Sequence, residues 1–221
     1  MDLIRLLRSL EEFLYELVGW LVFYPRTFWR ILLHPGAIAV YTKGELAKNR
    51  ELQFQDTISP VLMLILSVAL AHAIELICRV SIADSDTPMG KLMLGSEQGL
   101  LLTRSAVFCI YALGAALSTL WLGGQTVTRE TLREPFSIQA FLVCPFVILT
   151  AVGQQLLRVD TMHWAGIAVT AAGVAWYILA RTIAYRTLYK SSWLKALTLV
   201  CVWFAGTTVA TSLVLAMLIL P

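Results

Sequence analysis

The sequence predicts an all-α integral membrane protein, with five transmembrane helices in one bundle and amphipathic in-plane helices before them. Hydrophobic residues make up 58% of the chain and charged residues only 14%, against about 25% charged residues in an average soluble domain. Windows of about 20 apolar residues, long enough to cross roughly 30 Å of hydrocarbon, recur along the chain after residue 57. A water-soluble core could not bury this much apolar surface in 221 residues.

Residues 1–57 form a separate cytoplasmic or interfacial region. From Leu3 to Leu21, apolar residues follow the i, i+3, i+4, i+7 spacing of one helical face, and the charged residues lie off that face. Such a helix favours the membrane plane or the cytoplasmic face, and a sixth, irregular or re-entrant membrane segment is the alternative. Acidic residues interrupt the apolar stretch and no small-residue cleavage site follows, which argues against a signal peptide.

A second short amphipathic piece follows in the sequence YPRTFWRILLHPG. We expect Pro25 and the Pro35-Gly36 turn to bound it. Its surroundings include aromatic residues suited to the headgroup level of a bilayer: Trp20, Tyr24 and Trp29. The stretch from Tyr41 to Asp56 is the most polar in the chain. It is either a docking surface for a cytoplasmic partner or a solvated connector.

Residues 58–221 are expected to form the five-helix transmembrane domain. Ser59 can cap the first helix, with Pro60 in the first helical position, where a missing N–H is harmless. Pro135 similarly precedes the third helix, and Ser191 or Ser192 precedes the fifth. The predicted spans cover approximately residues 60–80, 100–123, 136–157, 164–185 and 194–220.

The basic residues predict the orientation of the bundle. If the N-terminus is cytoplasmic, the inner segments hold 13 of the 17 lysines and arginines. The outer side then holds only Arg79, Lys91 and Arg158, and Arg104 lies within a span. The positive-inside rule therefore predicts a multi-pass protein with a cytoplasmic N-terminus and a C-terminus on the outer side; the resemblance described below implies that the membrane is a bacterial inner membrane and that the outer side is the periplasm.

The motifs of the common enzyme classes are missing from the sequence. No nucleotide-binding loop, nucleophile elbow or zinc-binding helix occurs in a supporting context, so we expect no catalytic residue and no cofactor. The net charge of +3 is too small and too dispersed to indicate a nucleic-acid partner. The cysteines lie singly in apolar runs and are interpreted as small hydrophobic residues: Cys78, Cys109, Cys144 and Cys201.

A few polar residues lie inside the predicted spans. Glu75 lies roughly 7 Å from the outer end of the first span at 1.5 Å per residue, and Arg104 in the second span comes at nearly the same depth. His72 shares a helix face with Glu75, and two glutamines of the third span approach the same level. We predict one outer-leaflet polar cluster that faces the bundle interior: His72, Glu75, Arg104, Gln154 and Gln155.

Two interpretations of this cluster remain open. It is either a neutralised ion pair that fixes helix register, or a proton-sensitive or ligand-binding site in which His72 titrates near neutral pH and Glu75 relays or counters charge. A metal site is not expected, because one histidine and one glutamate do not complete a coordination shell. Pro145 should kink the third helix, as prolines do in transporters and in ordinary bundles.

Small residues in the last two spans predict close helix packing. The segments AGIAVTAAGVAW and FAGTTVATS place Gly166, Gly173, Gly206 and Ala210 in apolar surroundings. In a bilayer, where no hydrophobic effect drives helices together, small residues let backbones approach closely.

The overall pattern resembles the bacterial Yip1-domain family, whose small members are often labelled permeases. The resemblance is carried by the five spans, by the element YPRTFWRIL with Pro25, Phe28 and Arg30, and by Pro60 at the start of ISPVLMLILSVALAHAIEL. It implies a non-enzymatic scaffold or accessory subunit, with the bilayer and a membrane protein or a second copy as partners, and it assigns no site. A small permease lined by the polar cluster is the alternative. The Asp-Leu-x-Gly-Pro and Gly-Tyr-Gly elements of the eukaryotic branch are absent, so its trafficking roles are not implied.

Overall fold

A computed structural model describes residues 2–78 and 87–219 of the chain. These residues form eight α-helices and two short 3₁₀ turns, at Arg50–Leu52 and Asp160–Met162, and contain no strand. The helices are α1 (Asp2–Leu33), α2 (Pro35–Leu46), α3 (Pro60–Ile77), α4 (Pro88–Leu94), α5 (Glu97–Leu122), α6 (Arg129–Leu157), α7 (His163–Tyr189) and α8 (Trp193–Ile219).

Five of these helices, α3, α5, α6, α7 and α8, are long and apolar enough to cross a membrane. This confirms the prediction of an all-α chain with five such helices and indicates a multi-pass membrane protein. The observed helices begin and end at different residues from the predicted ones, and Arg79, Val80 and the loop to residue 86 lie outside the described residues.

The start of α6 differs most from the sequence prediction. Pro135 was expected to precede this helix, but it lies inside it, because the helix begins at Arg129. Thr128 and Thr131 exchange hydrogen bonds between their side chains and backbone N–H groups, which is a capping box that starts the helix upstream of the proline. Ser59 occupies the N-cap position of α3 without making a side-chain capping bond. Ser192 accepts the Lys195 N–H at 3.5 Å at the start of α8.

Helix α6 is the centre of the bundle. It packs against α3, α5 and α7, and also against α1 and α2. In the most apolar 18-residue stretch of α6, 78% of the residues are buried, whereas only 11% are buried in the corresponding stretch of α8. Helix α6 is continuous through Pro135 and Pro145. We call the end of the bundle where α6 begins and α7 ends the basic end, after Arg129, Arg133, Arg186 and Lys190.

Glycine allows α6 and α7 to touch backbone to backbone. A Cβ atom added to Gly166 would lie 2.5 Å from Leu157 N and 2.8 Å from Gly153 O. A Cβ on Gly153 would overlap the Thr170 hydroxyl. Since backbone atoms cannot move aside as a flexible side chain can, this crossing requires glycine at both positions.

Aromatic rings fill the space between α5, α6, α7 and α8. The rings of Phe146 and Tyr177 stack with centroids 4.8 Å apart. Three more rings meet Phe146 edge-on, with centroids 5.6 to 6.1 Å away: Phe108, Tyr111 and Phe204. Such edge-to-face contacts are worth about 1 kcal/mol each beyond area burial, so this cluster joins four helices.

The N-terminal helix differs from its prediction. Pro25 was expected to separate two pieces, but α1 runs through it as one helix. Proline removes one hydrogen bond to the preceding turn, and the packing on both sides of it holds the helix together. Tyr24 Oη bonds Ser67 Oγ at 3.0 Å, and Trp176 Nε1 donates to Leu32 O at 3.1 Å.

The contacts of α1 place its last turns beside the middle of the bundle. Ser67 lies near the middle of α3, and Trp176 lies near the middle of α7. Thr27 and Ile31, between the two contacts, are almost fully buried. The turn from α1 to α2 lies between this level and the basic end, because Gly36 lies against Ile183 and Thr187 in the last two turns of α7. The boundary expected at Pro35-Gly36 is confirmed, because α1 ends at Leu33 and Pro35 occupies the first position of α2.

The polar stretch from Tyr41 to Asp56 packs against the bundle. Its first part is helical, and the Glu45 residue is only 5% exposed. The Glu45 carboxylate pairs with Lys48 and accepts the Phe54 N–H at 2.8 Å. The Phe54 ring lies 6.2 Å from that of Phe141 on α6. The prediction of a solvated connector is therefore wrong for Glu45 and Phe54.

The environment of Glu45 lowers the pKa of its carboxyl. Burial by itself raises this pKa, but hydrogen bonds from Lys48 and from the Phe54 N–H, helped by nearby positive charge, outweigh burial. The ionised carboxylate is therefore the form that stabilises the fold.

We predict that Gly166→Ala lowers the free energy of unfolding by about 2 kcal/mol or more, because the added methyl meets backbone atoms of α6. Thermal unfolding of the purified protein in mild detergent, followed by tryptophan fluorescence, measures the change. Gly206→Ala is the matched control, because no atom lies within 4 Å of a Cβ at Gly206. Equal melting temperatures for the two variants would contradict the close crossing.

We predict that Glu45→Gln lowers the melting temperature by about 2–4 °C at pH 7. The lowered pKa means that the contribution of Glu45 is complete above the unfolded pKa, about 4.3, and is lost as pH falls through the folded pKa. The gap between wild type and variant should therefore narrow on acidification. Glu51→Gln, at an exposed position nearby, is the control. A gap that widens below pH 5 would refute the assignment.

Candidate functional site

The predicted polar cluster lies between the last turns of α3 and the first turns of α5. Helix α3 ends at Ile77, so Glu75 falls in its last turn, and Arg104 lies two turns into α5. The start of α5 is set by Ser96, whose side chain accepts the Gly99 N–H at 3.0 Å. Thr103 then donates to Met93 O at 3.1 Å, which ties α5 to α4 beside the cluster.

The centre of the cluster is an ion pair between Glu75 Oε2 and Arg104 Nη1. The Glu75 side chain is 6% exposed and that of Arg104 is 23% exposed. His72 Nδ1 lies 3.5 Å from the same guanidinium nitrogen, at the outer limit of a hydrogen bond. The guanidinium can donate only to an unprotonated nitrogen, so this contact requires neutral Nδ1 on His72.

The two glutamines differ from their predicted placement. Gln154 is exposed, so it does not face the bundle interior as expected. Gln155 is buried, and its side-chain nitrogen has no hydrogen-bond partner among the described residues. Consecutive residues on a helix point about 100° apart, and at this level of α6 the neighbouring helices cover Gln155 and leave Gln154 exposed. The structure therefore brings together His72, Glu75 and Arg104, and it does not bring Gln154 to them.

One of the 13 basic residues counted for the inner segments, Arg181, is buried among the helices of the bundle. Arg181 is 4% exposed, and no described residue forms an ion pair with it. Its guanidinium carbon lies 5.4 Å from the centre of the Tyr177 ring, and its Nε has no hydrogen-bond partner. The available signal was the position of Arg181 within the predicted span 164–185, two turns before the observed end of α7.

An apolar groove of about 520 Å³ runs between α5 and α8 on the side of the bundle. Gly114 on α5 lies against Thr207 on α8, where an added Cβ would come within 2.7 Å of the threonine hydroxyl. Gly206 and Ala210 also line the groove, and both are exposed. We call this surface, lined also by Ala106, Ile110, Trp203 and Val214, the α5–α8 groove.

The chemistry of the α5–α8 groove suits a second helix. Its lining is almost entirely carbon, so it offers an occupant packing contacts rather than hydrogen bonds. Gly206 and Ala210 are four residues apart and lie on one helical face, in the small-xxx-small spacing of close helix pairs. The sequence predicted that these residues pack closely against another helix, but no helix of the described chain covers them.

Comparison of the chain with family models, with curated proteins and with solved structures finds no match. The arguments for function therefore rest on the polar cluster, on the α5–α8 groove and on the distribution of charge.

We predict that Glu75→Gln lowers the free energy of unfolding by about 3 kcal/mol, because it leaves the Arg104 charge without a partner. The double variant Glu75→Gln with Arg104→Gln should lose clearly less, since it removes both charges. Unfolding equilibria in mixed micelles measure both values. If the single variant is as stable as wild type, the ion pair does not fasten α3 to α5, and a ligand-binding role is favoured.

Proposed function

We propose that this chain is a non-enzymatic scaffold or accessory subunit of a membrane complex, which holds a transmembrane helix of a partner protein along the α5–α8 groove. The observation that supports this most is the exposed small-residue face of α8, with Gly206 and Ala210 uncovered in a groove wide enough for side chains. The resemblance to the Yip1-domain family implies the same kind of role.

The packing of α8 supports a partner helix as the occupant. Only 11% of its most apolar window is buried within the chain, and its outer face carries Val202, Val209 and Met217. Lipid tails can cover such a face, but glycine and alanine at helical spacing gain more from a helix that approaches their backbone. Within the chain, α6 and α7 make such a close contact through Gly153 and Gly166.

The proposed topology places the basic end in the cytoplasm of a bacterium and the C-terminus in the periplasm. The asymmetry of lysine and arginine along the sequence supports this orientation. The contacts of Tyr24 and Leu32 with mid-helix residues favour a re-entrant α1–α2 segment over one confined to the headgroup level. The exposed apolar side chains farther toward the N-terminus, such as Leu10, Leu14 and Val18, are then covered by lipid.

The polar cluster fits a structural role within this proposal. Glu75 on α3 and Arg104 on α5 neutralise each other, so the pair fixes the register between these two helices. The aromatic rings around Phe146 occupy the space between four helices, where a path for a substrate would otherwise run.

A small permease is the second candidate, and the position of His72 favours it. His72 Nδ1 lies 3.5 Å from the guanidinium of the buried Glu75–Arg104 ion pair, which puts a third polar group at one site in an apolar part of the bundle. A path for substrate would then form between copies of the chain, because five helices enclose little space.

We predict that a photo-crosslinking residue at position 210 captures a different membrane protein in native membranes, with a yield about fivefold above position 69. Ala210 and Ala69 are both exposed alanines on apolar helices, so the pair is matched. Gly206→Phe should abolish the crosslink, because no atom lies within 4 Å of a Cβ at this position and the added ring would occupy the groove.

Co-purification in mild detergent identifies the captured species. A stoichiometric partner that is lost in Gly206→Phe and kept in Ala69→Phe supports the accessory subunit. A homo-oligomer captured instead favours the permease. Equal capture at positions 210 and 69 would exclude the groove as the docking surface.

A further inference from the structure

A cleft lined by basic side chains opens at the basic end of the bundle, next to the first turns of α6. Its volume is about 710 Å³, and it lies between α2, the Arg50–Leu52 turn and the first turns of α6. A second cleft of about 530 Å³ shares three of its lining residues. The shared residues are all arginines: Arg50, Arg129 and Arg133. We call the two together the arginine cleft.

The arginines of this cleft are not neutralised by the protein. Among the described residues, Arg50, Arg129 and Arg133 take part in no ion pair. The carboxylate of Glu134 at the cleft wall is already paired with Lys43 at 3.3 Å. Glu130 is the remaining acid of the lining and does not offset three guanidinium groups. The cleft therefore carries an excess of positive charge.

One of the arginines is held in place. Arg133 Nη2 donates to Gln53 Oε1 at 2.7 Å, which joins α6 to the turn that carries Arg50. The Gln53 amide also donates to Lys48 O at 2.7 Å, so this link is anchored in the segment after α2. Pre-placed donors lose less conformational entropy on binding a ligand than free side chains do.

Apolar residues adjoin the arginines. Leu132 and Phe136 line the second cleft together with Arg129 and Arg133. Phe136 stands at the start of the most apolar part of α6, where the predicted span begins. The arginine cleft thus presents guanidinium groups and hydrocarbon side by side, on a helix that runs on into the bundle.

We propose that the arginine cleft binds the phosphate headgroup of an anionic phospholipid. Guanidinium groups match phosphate oxygens in pairs and keep their charge at every physiological pH. Leu132 and Phe136 contact the glycerol and the first part of an acyl chain, which free phosphate cannot use. Basic pockets beside transmembrane helices on the cytoplasmic side are suited to such lipids. This site is independent of partner docking at the α5–α8 groove.

The test compares lipid binding by the full-length protein and by the variant Arg50→Gln/Arg129→Gln/Arg133→Gln. Native mass spectrometry from detergent, with added dioleoylphosphatidylglycerol, measures the bound fraction. We expect the apparent affinity of the variant to fall at least tenfold. Phosphatidylcholine of the same chain length should bind wild type and variant equally weakly. Inorganic phosphate at the same concentration should leave the melting temperature of wild type unchanged, whereas phosphatidylglycerol should raise it.

A matched control variant distinguishes binding in the arginine cleft from general electrostatic attraction between the protein and an anionic lipid. Arg8→Gln/Lys190→Gln/Lys195→Gln removes the same charge at exposed positions outside the cleft, and it should keep its affinity within threefold of wild type. If the triple cleft variant does not fold, Arg129→Gln alone, which removes no contact of the fold, should still weaken binding about threefold. Equal losses in the cleft and control variants, or equal stabilisation by inorganic phosphate, would overturn the proposal.

Discussion

Backbone contact between α6 and α7 is the constraint on which the rest of the structure depends. Gly153 and Gly166 bring the two helices so close that neither position tolerates a Cβ atom. This crossing sets the level at which Phe146 stacks on Tyr177. That pair in turn positions α5 and α8 through Tyr111 and Phe204. In a bilayer, such packing has to replace the hydrophobic effect that assembles soluble bundles.

The bundle handles its buried charges in two different ways. Glu75 and Arg104 form an ion pair, so each charge compensates the other. Removal of one partner leaves the other charge buried and uncompensated, which destabilises the fold. Arg181 has no carboxylate partner among the described residues, and its guanidinium lies against Tyr177. A guanidinium tolerates this better than an ammonium would, because it is more weakly hydrated and stacks on aromatic rings.

The remaining surface divides into two regions with different chemistry. The α5–α8 groove is apolar and exposes small residues, which suits a helix within the bilayer. The arginine cleft lies at one end of α6 and combines charge with hydrocarbon, which suits the border between headgroups and acyl chains. Helix α6 connects them only through the packed centre of the bundle. The two surfaces share no residues, so the two proposed occupants do not compete for the same site.

The sequence alone determined the five apolar helices and the level of Glu75 and Arg104, because hydropathy and a rise of 1.5 Å per residue act locally. It did not determine the continuity of α1 through Pro25, the burial of Glu45 or the exposure of Gln154. Nor did it show that Arg181 lies unpaired inside the bundle, or that Gly166 is covered while Gly206 is open. These features depend on which helices become neighbours and on how each is rotated about its axis. Both are decided by contacts between residues far apart in the chain, which local patterns do not contain.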